Sequence, residues 1–446
     1  MTALLIFGLL IALLLTGTPV SIALGLTVLT VLFAITDVPL DAVALKLFTG
    51  MEKFEIMAVP FFILAGAFLT HGGVAKRMIR FATAMTGHWP GGLGIASVLA
   101  CAIFAAVSGS SPATVIAIGS ILIPAMAAQG YPKRFGAGVI ASSGTLGILI
   151  PPSIVMVLYA LATAGMSARG PEGQRVAAPA VDDLFMAGVV PGILLAIVLG
   201  TVTWWIAKKE GYPRAARATW GEAFDAFVDC IWGLALIAVV LGGIYGGLVT
   251  PTEAAALSAV YAFIVAKFIY RDIGWNDVPK VLLSAANMSA MLLYIITNAM
   301  LFSFLLTHEH IPQTVADWIV GQGFNWITFL IVVNILLLIA GTFMEPASII
   351  LILAPILFPV AAKLGIDPVH FGIIMVVNME IGMITPPVGL NLYVTSGVAK
   401  IGLTETSRAV MPWLLSMLAF LVLVTYWPAL SLTRKRAAKR IWRAVT

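Results

Sequence analysis

Long apolar runs separated by short polar linkers make up most of the chain. Backbone in lipid must satisfy its own hydrogen bonds, so we expect every membrane crossing to be helical. A crossing needs about 20 mostly apolar residues, and two of the runs are long enough for one interrupted helix or two crossings, which predicts about ten to twelve crossings. The runs lie near residues 2–36, 55–71, 91–107, 134–165, 184–207, 228–270, 282–306, 325–342, 369–399 and 410–432, with proline-interrupted stretches near 109–128 and 343–362.

The composition agrees with a multi-pass membrane protein in contact with lipid. Hydrophobic residues make up 61% of the chain and charged residues only 10%, with a mean hydropathy of +1.06. A soluble domain carries about 25% charged residues, so this chain has too few charges to cover a globular surface. The net charge of +5 predicts no nucleic-acid partner, because many basic residues lie in one tail, Arg434 to Arg443, that is typical of a membrane-flanking anchor.

The polar linkers are short, which predicts a single membrane domain over residues 1–446 without a soluble domain. The start of the chain lacks a basic region and continues as an apolar run, so we expect a retained membrane segment. Residues 40–54 and 73–88 mix charged and apolar positions and predict amphipathic helices at the interface. Residues 168–183 predict a loop in water, and the basic linker 208–217 predicts a cytoplasmic loop.

An internal repeat is the most informative feature of the sequence. The motif Ser108–Thr114 and the later Pro151-Pro152 correspond in order to Gly341–Ser348 and Pro386-Pro387, at an offset close to 235 positions. Proline and glycine are unfavourable inside one long helix, so their matched recurrence favours two related halves of a transporter. The pattern predicts a first repeat over 1–222, with a re-entrant hairpin near 108–130 and a Pro-Pro broken helix near 134–165, and a second repeat over 223–446, with a hairpin near 342–365 and a broken helix near 369–399.

The relative orientation of the two halves depends on the two longest apolar runs. If 2–36 and 228–270 are each one interrupted crossing, each half has five crossings and the repeats are inverted, with both termini on one side. If each is two crossings, the halves are parallel. We expect single interrupted segments and inverted repeats, although the basic tail favours a cytoplasmic carboxyl terminus.

The matched interruptions place polar groups inside apolar segments. A broken helix leaves free N–H groups at one half-helix and free C=O groups at the other, which suit a carboxylate and Na⁺ respectively. Hydroxyl oxygens suit the same cation, although small residues also serve to pack helices closely. The candidates are Ser108, Ser110, Ser111 and Thr114 in the first hairpin, Ser142, Ser143, Gly144, Thr145 and Gly147 in the first break, and Gly341, Thr342, Glu345, Asn378, Glu380, Gly382 and Thr385 in the second half.

Acidic residues within apolar segments can have functional or structural roles. An intramembrane carboxylate is costly and usually functional, so Glu345 and Glu380 are candidates for a proton relay. Each also lies next to a proposed break, where it could accept hydrogen bonds in a structural role. Glu253 follows a threonine and a proline at the start of an apolar run, which predicts a carboxylate near the positive end of a helix.

Other kinds of chemistry find little support in the sequence. No G-x-x-x-x-G-K-[ST] motif is present, so we expect an ion gradient rather than ATP to supply energy. His308 and His310 flank Glu309 in a polar loop that we interpret as solvated. Cys101 and Cys230 lie far apart in apolar runs, which predicts core residues rather than a metal or redox site. Without a nucleophile–base pair, we expect neither an enzyme nor a bound cofactor.

Three long motifs resemble those of a known transporter family. They are GSSPATVIAIGSILIPAM, GYPKRFGAGVIASSGTLGILIPPSIVMVLYA and GLVTPTEAAAL, which begin at Gly109, Gly130 and Gly247. In this order they are similar to the large permease subunit of tripartite ATP-independent periplasmic (TRAP) transporters, the DctM family. The chain departs from the family motif at Pro112, which follows Gly-Ser-Ser where a small aliphatic residue is expected. A proline is favourable there, because it can start the helix that follows the tip.

The resemblance implies an all-α elevator-type secondary transporter of the bacterial inner membrane, which imports an organic anion with Na⁺. It also implies a separate small four-helix membrane subunit and a periplasmic substrate-binding protein as partners. The sodium-binding residues that it implies are Ser108, Ser111, Gly144 and Gly147 in the first repeat and Gly341, Gly382 and Thr385 in the second; the substrate-facing candidates are Ser110, Thr114, Ser143, Thr145, Asn378 and Glu380.

Two other classes of membrane protein are alternatives to a TRAP permease. The first is a stand-alone carboxylate carrier or a sodium/proton antiporter of related architecture, which would work without a binding protein. The second is a membrane subunit of a redox complex, which would require paired histidines within helices as haem or quinone ligands. The scattered histidines of this chain disfavour the second reading.

Overall fold

A computed structural model describes residues 2–36 and 38–432 of the protein. The helices of the first half are α1 (Thr2–Leu15), α2 (Val20–Ile35), α3 (Leu40–Met51), α4 (Ala58–His71), α5 (Val74–Thr86), α6 (Gly92–Ser108), α7 (Ser111–Ala128), α8 (Lys133–Gly144), α9 (Ile154–Thr163) and α10 (Val181–Lys209). Those of the second half are α11 (Trp220–Tyr245), α12 (Pro251–Ile264), α13 (Val278–His308), α14 (Ile311–Gly321), α15 (Trp326–Phe343), α16 (Pro346–Lys363), α17 (Pro368–Gly382), α18 (Leu390–Ala399) and α19 (Leu403–Tyr426). Short 3₁₀ turns precede α4 and follow α8, and a π-helical turn follows α12.

Many of these helices expose apolar side chains outward, as a protein surrounded by lipid must. Within the described residues, nine helical segments are long and apolar enough to cross a membrane. Large apolar side chains such as Trp205, Ile335 and Leu415 are exposed on them. The predicted fold class, a helical multi-pass membrane protein, is therefore confirmed.

The two longest apolar runs are each divided into two separate helices. In the first run, α1 ends shortly before Gly17, which has a φ of +80°, and α2 starts directly after Pro19. Gly247 has a φ of +67° between α11 and α12, and both of these helices are candidate membrane spans. The expectation of single interrupted segments is therefore wrong, because a left-handed glycine followed by a proline-started helix separates two complete helices.

The run near 91–107 is the first arm of a hairpin rather than a crossing of its own. Helices α6 and α7 are joined by only Gly109 and Ser110 and pack against each other, as α15 and α16 do around a two-residue connection. The intervals 108–130 and 342–365 therefore contain the tip and the second arm of each hairpin. The first arms extend the hairpins back to 92 and 326, because an apolar arm has the same composition as a span.

The two corrections leave the expected number of crossings per half unchanged. Counting each broken helix once and leaving out the hairpins, the first half supplies α1, α2, α4, α8–α9 and α10. The second half supplies α11, α12, α13, α17–α18 and α19. An odd number of crossings in each half favours inverted halves, which stay a prediction together with the repeat boundaries.

The polar linker 168–183 contains a short β-hairpin. Strand β1 (Ser167–Arg169) pairs antiparallel with β2 (Arg175–Ala177), and Gly173 takes a φ of +79° in the connecting turn. Glycine adopts this conformation without steric cost, which allows the linker to turn tightly between α9 and α10. This element is a departure from the all-helical expectation.

Contacts between helix ends define one charged surface, which we call the basic face. Tyr131 at the start of α8 donates a hydrogen bond to the carbonyl of Pro213 beyond α10, and Arg134 forms an ion pair with Glu405 of α19. Arg77 of α5 pairs with Asp272 beyond α12. The basic residues on or next to these elements are Lys76, Arg77, Arg80, Lys133, Arg134, Lys208, Lys209, Arg214, Arg217, Lys267, Arg271, Lys280, Lys400 and Arg408.

By the positive-inside rule, we expect the basic face on the cytoplasmic side. The predicted cytoplasmic linker 208–217 lies on it. Helix α10 is 29 residues long, so its other end, with the β-hairpin, lies about 43 Å away on the opposite face. Ser431 contacts His370 at the start of α17, also on that opposite face, whereas the basic tail from Arg434 lies outside the described residues.

Hairpins and broken helices occupy the centre of the protein. Every residue of α17 from Val369 to Gly382 is buried, as is α8 from Phe135 to Gly144. The second arm of each hairpin packs against the final half-helix of the other half, α7 on α18 and α16 on α9. Cys101 is buried as predicted. The two halves are thus interlocked around one core.

Candidate functional site

The first hairpin tip contains a compact cluster of hydroxyl groups. Gly109 adopts a φ of +61°, which turns the chain between α6 and α7. The Ser108 and Thr114 hydroxyl oxygens lie 2.9 Å apart, and the Thr114 hydroxyl donates to the Ser110 carbonyl at 2.8 Å. Ser108 and Thr114 are buried whereas Ser110 is half-buried. The tip therefore presents several oxygen atoms within one helical turn.

The first broken helix lies directly against this tip. The helix ends at Gly144, continues through a 3₁₀ turn and restarts at Ile154. A Cβ at Gly147 would lie only 2.6 Å from the Ser110 carbonyl oxygen and 2.9 Å from the Ser111 nitrogen. Glycine is therefore required for backbone-to-backbone contact here, and the predicted residues of the first repeat do come together.

An asparagine from the second half completes the first tip. The Asn391 side-chain amide donates to Ser111 Oγ at 2.7 Å and lies 3.3 Å from the Ala141 carbonyl oxygen. Its backbone N–H donates to the Met383 carbonyl at 3.0 Å, inside the second break. Asn391 is buried and thus joins the first tip to the second broken helix. The prediction had omitted this residue.

The second tip and the second break repeat the same close approach. A Cβ at Gly382 would lie 2.6 Å from the Gly341 Cα, so both positions exclude side chains. The Gly389 N–H donates to the Thr342 carbonyl at 3.1 Å. Thr385 is half-buried, and its hydroxyl donates to the Ile381 carbonyl at 2.7 Å. These predicted sodium-site residues therefore also lie together.

A buried carboxyl group joins the two broken helices. The Thr145 hydroxyl lies 3.0 Å from Oε1 of Glu380 and 2.7 Å from the Ser142 carbonyl oxygen. When the Thr145 hydroxyl donates to this carbonyl, its oxygen can accept a hydrogen bond from the neutral carboxyl group of Glu380. When the hydroxyl turns, it can donate a hydrogen bond to the ionised carboxylate. Among the described residues, Oε2 of Glu380 has no hydrogen-bond partner. The geometry thus accommodates both protonation states.

Three candidates have different surroundings from the tips. Asn378 donates to Asn334 of α15 at 2.8 Å, and Asn334 in turn donates to Thr425 of α19. Asn378 therefore links helices, although its Oδ1 has no partner among the described residues. Glu345 accepts a hydrogen bond from Ser348 at 3.1 Å beside the second tip. The Ser143 hydroxyl is buried and also lacks a partner within the described part of the chain.

The sequence signal for Asn391 was a polar residue inside an apolar segment. It follows the second Pro-Pro pair and lies on α18, whose neighbouring residues are mostly apolar. Intramembrane polar side chains generally have a structural or functional partner, and this rule predicts a partner for Asn391 as it does for the serines. Glu253 was interpreted correctly, since it forms a capping box with Thr250 at the start of α12.

Two hairpin tips against two interrupted helices, inside a multi-pass bundle, define a membrane-transporter fold. The crystal structure of the Alcanivorax borkumensis YdaH transporter shares it, with a TM-score of 0.58, 16% sequence identity, and coverage of 88% of this chain and 90% of that one. The chain itself belongs to the family described as "Tripartite ATP-independent periplasmic transporter, DctM component", whose profile matches residues 7–430. The resemblance found in the motifs is therefore confirmed.

Two curated relatives are similar over nearly the whole length. The "C4-dicarboxylate TRAP transporter large permease protein DctM" of Rhodobacter capsulatus is 70% identical, covering 97% of this chain and 98% of the relative. The protein of the same description from Pseudomonas aeruginosa is 54% identical over 92% and 93% respectively. The chain is thus a TRAP large permease subunit and a multi-pass protein of the bacterial inner membrane. Membership of a permease family supports a transport protein rather than an enzyme.

Proposed function

We propose that the chain imports C4-dicarboxylates, driven by Na⁺ and supplied by a periplasmic binding protein, together with a small membrane subunit. The observation that carries the proposal is the oxygen-lined contact between each hairpin tip and its broken helix. The substrate class follows from the printed descriptions of the two relatives above, both of which are C4-dicarboxylate permeases. Binding-protein delivery and the small subunit are implied by membership of the TRAP family.

The donor set of the tips fits Na⁺. Hydroxyl and carbonyl oxygens from Ser108, Ser110 and Thr114 lie within hydrogen-bond distance of one another. Hard cations prefer such oxygen ligands, and unwound carbonyls coordinate Na⁺ in transporters. At the second break, the carbonyl oxygens of Met383 and Thr385 would each lie 2.9 Å from a Cβ at Gly389, so both converge on one small space.

The substrate carboxylates fit the helix starts at the same place. Helices α7 and α16 begin at the two tips, and α9 and α18 begin after the two breaks, so four amino-terminal ends lie in the core. Helix amino termini attract anions. The substrate-facing candidates that support this role are Ser110, which is half-buried at the first tip, and Thr145, which lies at the first break.

The experiment uses proteoliposomes that contain the chain and its small subunit. Uptake of radiolabelled succinate is measured with an inward Na⁺ gradient, with K⁺ in place of Na⁺, and with and without the cognate binding protein. We expect uptake that requires both Na⁺ and the binding protein. Uptake with the gradient but without the binding protein would contradict the tripartite part and favour a stand-alone carrier.

Proton coupling is the second candidate, because Glu380 can be accommodated in either protonation state. An imposed pH gradient in Na⁺-free buffer tests it in the same vesicles. We expect no succinate uptake under these conditions. Uptake that follows the pH gradient and disappears in Glu380→Gln would assign coupling to the proton instead.

A further inference from the structure

A second polar region lies away from the hairpin tips. A cavity of about 930 Å³ opens between helices α3, α13 and α14 and the ends of α9 and α16. We call it the cationic cavity, since its lining includes Lys46, Lys53, Arg169 and Lys363 against a single carboxylate, Asp317. Four cations against one anion leave the lining strongly positive at neutral pH.

In the described part of the chain, one of these four cations forms an ion pair with a carboxylate. Lys363 pairs with Asp317, but Lys46, Lys53 and Arg169 form no ion pair with any of the described residues. The Lys53 ammonium is half-buried and donates to the Ala164 carbonyl at 3.3 Å. Burial lowers the pKa of Lys53, while the nearby Glu55 acts in the opposite direction. A bound carboxylate would offset the cost of burying this charge.

The cavity lies on the side from which substrate arrives. Arg169 belongs to the β-hairpin that precedes α10, opposite the basic face and therefore on the periplasmic side. Helix α16 starts at the second tip, contains 18 residues and ends at Lys363. Its length places the cavity about 27 Å from that tip. The cavity is thus distinct from the central site and connected to it by α9 and α16.

We propose that the cationic cavity is a periplasmic vestibule that binds the dicarboxylate dianion before it reaches the hairpin tips. The inference rests on the proposed function for the identity of the anion. The volume greatly exceeds that of a four-carbon diacid, so the anion is held loosely and with water. A positive cleft with low-dielectric walls concentrates anions and raises their rate of association.

The first test measures the local potential directly and does not depend on transport. Ser303→Cys places a thiol in the cavity lining, and both native cysteines are buried. In the purified complex we expect an anionic methanethiosulfonate reagent to react faster than a cationic one of similar size. Adding Lys46→Gln and Arg169→Gln should reduce that ratio about tenfold, in the range known for charged clefts.

Succinate and lipid are distinguished by protection of the same thiol. We expect millimolar succinate to slow the reaction of this thiol with the anionic reagent. The reaction rate should be the same for the complex in phosphatidylglycerol vesicles as in phosphatidylcholine vesicles. Protection by phosphatidylglycerol without an effect of succinate would overturn the proposal and assign the cavity to lipid phosphate. Equal rates for both reagents would overturn it as well.

The second test uses uptake kinetics. In vesicles, Lys46→Gln with Arg169→Gln should raise the KM for succinate about tenfold while Vmax changes less than twofold, because the cavity acts on association. Lys208→Gln with Lys209→Gln removes two charges from the basic face and should leave KM unchanged. An unchanged KM in the cavity variant contradicts the vestibule, whereas absence of succinate uptake by the unmodified complex contradicts the proposed function and leaves the labelling result standing.

Discussion

The hydrogen bond between Thr145 and Glu380 joins positions that are 235 residues apart. That separation equals the offset of the predicted repeat, so the two residues correspond to each other in the two predicted halves. The bond therefore lies where the two broken helices approach each other, and both side chains are fully buried. Each half thus contributes one member of a pair that neither half contains alone.

Loss of the Thr145 hydroxyl should destabilise the core. Thr145→Val leaves a buried carboxyl group without its partner, which costs about 1–3 kcal/mol. We expect a thermal midpoint several degrees lower for the purified complex in detergent. Thr145→Ser keeps the hydroxyl and should stay close to the unmodified protein. If valine and serine gave equal midpoints, the hydrogen bond would have no stabilising role.

A side chain at Gly382 should block transport without preventing insertion. The nearest atom to a Cβ there is the Gly341 Cα, at 2.6 Å, so the backbones of tip and break must separate. We expect Gly382→Ala to reduce the rate of Na⁺-driven succinate uptake at least about tenfold. This corresponds to an increase of about 1.4 kcal/mol or more in the activation free energy of transport. Gly397→Ala in α18 serves as the control, because a Cβ at Gly397 would have no other atom within 4 Å. Normal uptake by Gly382→Ala would remove this contact from the site.

Removing either partner of the Ser111–Asn391 hydrogen bond should weaken Na⁺ binding. The bond fixes the first tip to the second break, so Ser111→Ala or Asn391→Ala loosens the oxygen cluster. We expect the Na⁺ concentration for half-maximal uptake to rise about tenfold in each, and no further in the double variant, because directly bonded residues are not additive. Ser120→Ala, on the outer part of α7, should have no effect. Additive effects in the double variant would show that the two residues act separately.

The assignment of the basic face to the cytoplasm predicts the accessibility of two exposed loops. Glu172→Cys lies in the turn of the β-hairpin, and Glu210→Cys follows α10 on the basic face. In intact spheroplasts, a membrane-impermeant maleimide should label the first and not the second, which should react only after permeabilisation. The reverse pattern would invert the topology and place the cationic cavity on the cytoplasmic side.

The sequence predicted the interruptions better than it predicted the helices around them. Both Pro-Pro pairs lie at interruptions, the first between α8 and α9 and the second between α17 and α18. An apolar arm and an apolar span have the same composition, and for that reason α6 and α15 were mistaken for crossings. Asn391 escaped notice because its partner, Ser111, lies 280 positions away. Only the folded chain shows which polar residues meet.

The exchange of packing partners between the halves has a consequence for biosynthesis. Helix α7 is complete long before the ribosome reaches α18, on which it packs. At 5–20 residues per second, the intervening 280 residues take about 14–56 s to translate. During that interval the first hairpin is already made but lacks its final neighbour. Maturation of the first half therefore waits for the last quarter of the polypeptide, and a nascent chain that stops short of α18 leaves the hairpin uncovered in the membrane.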